Sequence, residues 1–277
     1  MPLPGTLYIV ATPIGNLADA SPRALEVLRT VAVIACEDTR TSATLLARFD
    51  IATPTTSLHA HNERRAGAKL LDVLQSGKDV ALVTDAGTPG VSDPGGLLVQ
   101  AAHRAGIRVV PIPGPSAASA AVSASGFRAD GYLFAGFLPA TRAARRKALG
   151  ELATPFPIVF YEAPHRVLEA VRDLAERFGP EREIVIGREL TKKFEEIARM
   201  PLGAAAAWLC AGPHRQQGEF VLVLAPADTT GDILAEGQRV LAVLLESMPA
   251  SEAARLAARI SGAPKNALYR LALERSK

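Results

Sequence analysis

The chain has 277 residues, 48% hydrophobic and 21% charged, enough apolar material for about two domains and too much for a disordered tail. No apolar run approaches the roughly 18 residues of a membrane-spanning helix, and no basic segment precedes an apolar one at the N-terminus. Neither a span nor a secretory signal is expected, and the expected location is cytoplasmic. A net charge of +3 and a pI of about 9.0 permit an anionic partner without demanding one.

In chain order, short runs rich in Val and Ile alternate with amphipathic stretches to about residue 225, the pattern of α/β layers. Strands are expected near Leu7–Ala11, Ala32–Cys36, Asp79–Thr84, Arg108–Pro111, Leu133–Gly136, Pro157–Tyr161, Glu183–Gly187 and Phe220–Leu224, with helices between them. The first helix carries its own start signal. Ser21 can cap, Pro22 suits the first helical position, and Leu25 and Leu28 share a face with Ala24 and Val27 beside it. The loop Pro111-Ile-Pro-Gly-Pro-Ser116 divides these units into an N-terminal α/β domain over 1–117 and a second over 118–226. Ala227–Asp232 is polar and predicts a linker, beyond which a helical pattern predicts a third module over 233–277. Cys36 and Cys210 lie far apart and at no metal spacing, so both are expected to be small apolar core residues.

Three loops follow strands where open α/β sheets bind ligands. The first, Ala11-Thr-Pro-Ile-Gly-Asn-Leu17, is not a dinucleotide fingerprint, and a plain structural turn is the alternative to a ligand-binding role. The second, Asp85-Ala-Gly-Thr-Pro-Gly-Val-Ser-Asp-Pro-Gly-Gly96, holds four glycines and two prolines in twelve positions, which lets backbone approach a ligand closely along a stiffened loop. Asp85 either accepts hydrogen bonds from a ligand or caps its own turn. In the third, Pro113-Gly-Pro-Ser116, the serine is placed to cap a helix. A fourth group, Tyr161-Glu-Ala-Pro-His-Arg166 with Gly187-Arg-Glu-Leu-Thr-Lys-Lys193, either faces a ligand or forms ion pairs such as Glu162 with Arg166. The histidines and carboxylates form no metal-ligand pattern, so no metal is expected.

The stretches YIVATPIGNLADASPRALEVL, ACEDTRTS, VTDAGTPGVSDPG, PIPGPSAASAA, FYEAPHR and GRELTKKFEE, in this order, with PKNALYRLAL in the tail, resemble the ribosomal-RNA-modifying branch of the tetrapyrrole-methylase superfamily. The resemblance implies two α/β domains with S-adenosylmethionine in the cleft between them, a homodimer, and 2'-O-methylation of a cytidine in small-subunit ribosomal RNA, met as naked RNA or in the assembled subunit. It carries the donor's contacts to Pro13, to Asp85, Gly87, Thr88 and Pro89, and to Ser116 and Ala117, with Phe137, Leu138, Tyr161 and Glu162 closing the site. Many members of the superfamily have a Gly-rich first loop where this chain has Thr12-Pro13-Ile14-Gly15-Asn16. Near the implied cleft, Glu162, Glu189, Arg188 and Lys192 are the candidates for accepting the ribose proton or stabilising the alkoxide.

The basic segments fit an RNA partner. Thr141–Lys147 carries Arg142, Arg145, Arg146 and Lys147 with no acid, and from Ala250 onward six Lys or Arg stand against two Glu, on a helix-turn-helix pattern presenting Lys265, Arg270 and Arg275. Two rival readings remain at this stage: a tetrapyrrole C-methyltransferase acting on a precorrin or uroporphyrinogen, and a non-catalytic nucleic-acid-binding regulator. The cationic tail speaks against the first and the intact donor loops against the second.

Overall fold

A computed structural model describes residues 3–128, 130–227 and 229–275. Its first sheet contains β1 (Thr6–Val10), β2 (Val33–Cys36), β3 (Thr55–Ser57), β4 (Val80–Leu82) and β5 (Arg108–Ile112), all parallel, in the order β3-β2-β4-β1-β5. Helices α1 (Pro22–Thr30), α2 (Thr39–Arg48), α3 (Glu63–Gln75) and α4 (Gly96–Arg104) make the crossovers. Crossover helices cover both faces of such a sheet, so each strand must be apolar on both sides. Alternate residues accordingly enter two cores: Ile34, Cys36, Ala81 and Val83 on one face, Ala35, Val80 and Leu82 on the other. The start of α1 is as expected: the Ser21 hydroxyl accepts the Ala24 amide at 3.1 Å, Pro22 opens the helix, and Ala24 and Leu28 are buried.

The second sheet is mixed. Its strands β6 (Leu133–Phe137), β7 (Ile158–Glu162), β8 (Glu183–Arg188), β9 (Glu196–Pro201) and β10 (Phe220–Leu224) run in the order β6-β7-β10-β8-β9, with β10 central and antiparallel to both neighbours. Every residue of β10 is buried, and at about 1.5–3 kcal/mol per buried Val, Leu or Phe side chain this strand anchors the layer. Helices α6 (Arg142–Glu151), α7 (Val167–Phe178) and α8 (Leu202–Cys210) join one core of this sheet through Leu149, Leu174 and Leu209. Helix α5 (Ala117–Ser125) follows directly on the third loop, yet its Ala118 and Ala121 pack on Val159, Val185, Val221 and Val223 of the second sheet. Residues on either side of Ser116 therefore belong to different cores.

Helices α9 (Thr229–Leu245), α10 (Ala250–Ser261) and α11 (Lys265–Arg275) form a second compact unit around Leu241, Ala253, Ala257 and Leu268. Three expectations are corrected. Thr229–Asp232 begin α9 instead of serving as linker. Strands β3 and β9 were not expected; one is three polar-leaning residues long and the other alternates exposed with half-buried positions, as sheet edges do. Cys36 is buried, but Cys210 ends α8 exposed. Among the described residues no helix is long and apolar enough to cross a membrane, and no group of side chains is arranged to hold a metal ion.

Candidate functional site

The three loops are stitched to one another by backbone. Thr12 N–H donates to Gly87 O at 2.8 Å and Gly87 N–H returns to Thr12 O at 3.1 Å, while the buried Thr12 hydroxyl donates to Thr84 O. The Thr88 hydroxyl then donates to Pro115 O at 3.2 Å, joining the second loop to the third. Gly87 makes its bridge at φ +89°, a conformation that a residue with a Cβ rarely adopts. At the start of α5, Ser116 occupies the cap position without a capping bond, and the Ala118 amide donates to the Tyr161 hydroxyl at 3.2 Å, tying the third loop to the second sheet.

These bonds surround a cavity of about 340 Å³. Its wall is formed by Ile14 from the first loop, Ala86 to Thr88 and Val91 to Asp93 from the second, and Ser116 and Ala117 from the third. Phe137, Tyr161 to Pro164, Leu190 and Glu219 to Val221 complete it from the second sheet. Of the expected donor contacts, Gly87, Thr88, Ser116, Ala117, Phe137 and Tyr161 line the cavity, whereas Pro13, Asp85, Pro89 and Leu138 stand outside the lining. Leu138 belongs to the core beneath β7, and the Asp85 carboxylate accepts the Asp38 amide at 3.1 Å, holding the β2–α2 loop against the second loop. Tyr161 is fixed between the rings of Phe134 and Phe137, whose centroids lie 4.9 and 5.6 Å away.

Only one of the four residues expected to manage the proton, Glu162, lines the cavity. It is 2% exposed, ion-paired with Arg166 at 3.0 Å, and accepts the Ala163 amide, while Arg166 also donates to Leu138 O. Arg188 is buried and donates to Gln217 O and Phe194 O, so it organises the loops around β8. Glu189 and Thr191 hold left-handed backbone at φ 50° and 64°, the kind of strain that functional loops store. Burial would raise the Glu189 carboxyl, but the Glu219 amide and the Lys192 ammonium outweigh it and leave it lowered. Lys192 lies 3.0 Å from both Glu189 and Glu219. Its stem crosses Gly15, where an added Cβ would fall 2.4 Å from Lys192 Cγ, so a larger residue in the first loop would displace the Lys192 side chain.

Asp93, inside the loop motif but unmarked by sequence reasoning, is the lining carboxylate without an ion pair among the described residues. Burial pushes its carboxyl up; the Thr84 hydroxyl opposes this, and the neighbouring Asp85 adds to it. Glu37, at the end of β2, is raised by burial and by Asp85, Asp93 and Asp38. A cue existed in sequence: ACEDTRTS and VTDAGTPGVSDPG place four acids at two strand ends that the strand order makes neighbours.

The basic segment on α6 is not the open cationic face that its composition suggests. Arg145 is 3% exposed and binds Asp173 at 2.6 Å, Arg142 reaches Asp173 and Glu176, and Arg146 pairs with Glu176. Lys147 is exposed. On α11, Lys265 and Arg270 are exposed, and the side chain of Arg275 lies outside the described residues.

Comparison with known proteins places this architecture. Residues 6–206 match the family model of tetrapyrrole (corrin/porphyrin) methylases, and residues 231–276 match the RsmI C-terminal HTH domain. Proteins named ribosomal RNA small subunit methyltransferase I are 50% identical in Pseudomonas aeruginosa, over 98% of each chain, and 51% identical in Xylella fastidiosa Temecula1, over 97% of this chain and 99% of the relative. A solved uroporphyrin-III C-methyltransferase of Thermus thermophilus, complexed with S-adenyl homocysteine, has a TM-score of 0.55 at 16% identity over 80% of this chain and 97% of its own, a likeness of fold. By family model and by identity along its length, the chain belongs to the tetrapyrrole methylase family, in the group of ribosomal RNA small subunit methyltransferase I.

Proposed function

We propose that the chain transfers a methyl group from S-adenosylmethionine to the 2'-hydroxyl of a cytidine in small-subunit ribosomal RNA. The observation carrying this reading is the cavity where all three strand-end loops meet the second sheet, in a chain half identical to ribosomal RNA methyltransferases. Its volume falls at the lower end of small-molecule sites, about 300–1,000 Å³. Backbone at Ala86 and Gly87, the hydroxyls of Thr88 and Ser116, and the apolar walls of Ile14, Val91, Leu190 and Val221 suit a ligand with polar and apolar parts, and the nearby carboxylates suit its positive charge. S-adenosylmethionine, when bound, supplies an electrophilic methyl group on a sulfonium.

The protein's contribution is alignment, water exclusion and a place for the proton. Alignment comes from loops locked by Thr12, Gly87 and Thr88, and it supplies most of the rate. Phe137, 54% exposed at the cavity, gives the acceptor nucleoside an aromatic edge to rest on. Asp93 accepts the ribose proton, because it lines the cavity without an ion pair and burial raises its carboxyl above the ordinary carboxylate value, whereas Glu162 and Glu189 are held in ion pairs. Glu162, Arg188 and Lys192 act as positioning residues.

The same reading divides the chain into a donor-binding domain over 1–117, a closing domain over 118–226 and a helical RNA-binding module from 233 onward. Lys265, Arg270 and Arg275 contact phosphates in that module, and Lys147 does so from α6. It describes a cytoplasmic homodimer whose substrate is the ribosomal RNA or the assembled subunit. Likeness of fold to a uroporphyrin-III methyltransferase raises the tetrapyrrole alternative, and the HTH match at residues 231–276 favours RNA. Purified protein incubated with labelled donor and either small subunits or uroporphyrinogen decides between them. Label on one RNA nucleotide, resistant to alkaline hydrolysis at its 3' side, supports the reading, and label on the macrocycle overturns it.

A further inference from the structure

A second cavity, about 400 Å³, runs between α3 and the β2–β3 side of the first sheet. Asn62, Arg65 and Lys69 come from one face of α3, at the i, i+3, i+7 spacing that aligns side chains along a helix, and Lys78 joins them from the turn before β4. Thr56 and Ser57 of the edge strand add hydroxyls, and no carboxylate lines the groove. Among the described residues Arg65, Lys69 and Lys78 enter no ion pair, in contrast to the arginines of α6. The nearby acids are engaged or turned elsewhere: Asp79 accepts the Thr6 amide, Glu63 accepts the amides of Gly95 and Leu97, and Asp72 is outside the lining.

We infer that this groove binds the phosphodiester backbone of the RNA substrate, as a docking site separate from the methyl-transfer cavity. The inference rests on the RNA reading above and deepens it. Arg65 and Lys69 are one turn apart, about 6 Å along the helix, with Lys78 beyond its far end, a spread that meets successive phosphates of a strand better than one free phosphate. A second copy of the chain fits poorly, because a two-fold contact centred here would set these cations against their own copies. The Glu63 bonds tie the first turn of α3 to the backbone that ends the second loop, so a strand held in the groove is attached to the element that frames the cavity.

The test is the triple variant R65Q/K69Q/K78Q of the full chain, with the charge-keeping R65K/K69R/K78R beside it. All three positions are exposed, and unchanged S-adenosylmethionine affinity in a calorimeter certifies that each variant is folded. For binding to small-subunit RNA, the log–log salt slope of the glutamine variant is expected to fall by up to about 2, or 0.7 per phosphate contact. KM for RNA rises at least several-fold with kcat preserved, and the charge-keeping variant stays close to the parent. A glutamine variant with the parent's slope and KM overturns the assignment. Saturable binding of inorganic phosphate at constant ionic strength, lost in the variant while its RNA slope is kept, reassigns the groove to a small anion and also overturns it. So does a dimer that sediments as monomer only in the variant while the RNA slope is kept. If the parent binds the donor but no RNA, the RNA reading itself fails and the docking site with it.

Discussion

Two basic helices of this protein carry their charge to different ends. On α6, three arginines are drawn onto Asp173 and Glu176 of α7, and one of them is buried. On α3, Arg65 and Lys69 stand over a groove that no acid lines. Cation density alone favours α6 as a nucleic-acid surface, whereas pairing favours α3, since a guanidinium already holding a carboxylate has less to gain from a phosphate.

The largest effect expected from breaking this contrast is at the buried pair. Arg145→Ala removes the buried partner of the Asp173 carboxylate and leaves it only the exposed Arg142, which should cost about 3 kcal/mol in denaturant unfolding, the low end for a broken buried pair. A loss below about 1 kcal/mol would show that Arg145 is not the structural residue described here.

Next in size is the acidic end of the first sheet. Asp93→Asn should lower kcat at least tenfold while leaving thermal stability at pH 7 equal or higher. The sign follows from its raised carboxyl: ionisation is less favourable in the fold than in the unfolded chain, so the charge costs stability above the folded pKa. That cost is relieved as pH falls through the folded pKa toward the ordinary carboxylate range. Asparagine should therefore flatten the stability profile in that window. Full activity in the folded variant would remove Asp93 from the proton-accepting role.

The smallest effect is expected from the outer arginines of α6. Arg142→Gln with Arg146→Gln should leave the denaturant midpoint close to that of the parent, because both side chains are more than half exposed and their pairs are screened by solvent. The RNA salt slope should change less than in the α3 triple variant. A larger change would reverse the ranking of the two helices.

Much of the site was legible before the structure because its signals are local. Ser21 and Pro22 announce α1 within four residues, and the glycines and prolines of Asp85–Gly96 announce a special loop from composition alone. The rest depends on partners far along the chain. The fate of Arg145 is decided by Asp173, 28 positions later, and that of Glu189 by the Glu219 amide, 30 positions later. Neither pairing leaves a trace in spacing. Strand β3 escaped because an edge strand of Thr-Thr-Ser has no apolar alternation to read, and the groove beside it was hidden for the same reason.

The central claim is that the loop-lined cavity holds the methyl donor used on RNA, and Gly87→Val tests it most directly. The substitution places a β-branched side chain at φ +89° in the cavity wall, where its Cβ would still clear Ile14 by 3.5 Å, so the conflict is with backbone conformation and ligand space. Calorimetry of folded protein should show S-adenosylmethionine binding in the parent and none in the variant, with methylation of small subunits lost in parallel. A folded variant that binds the donor as tightly as the parent would place the site elsewhere.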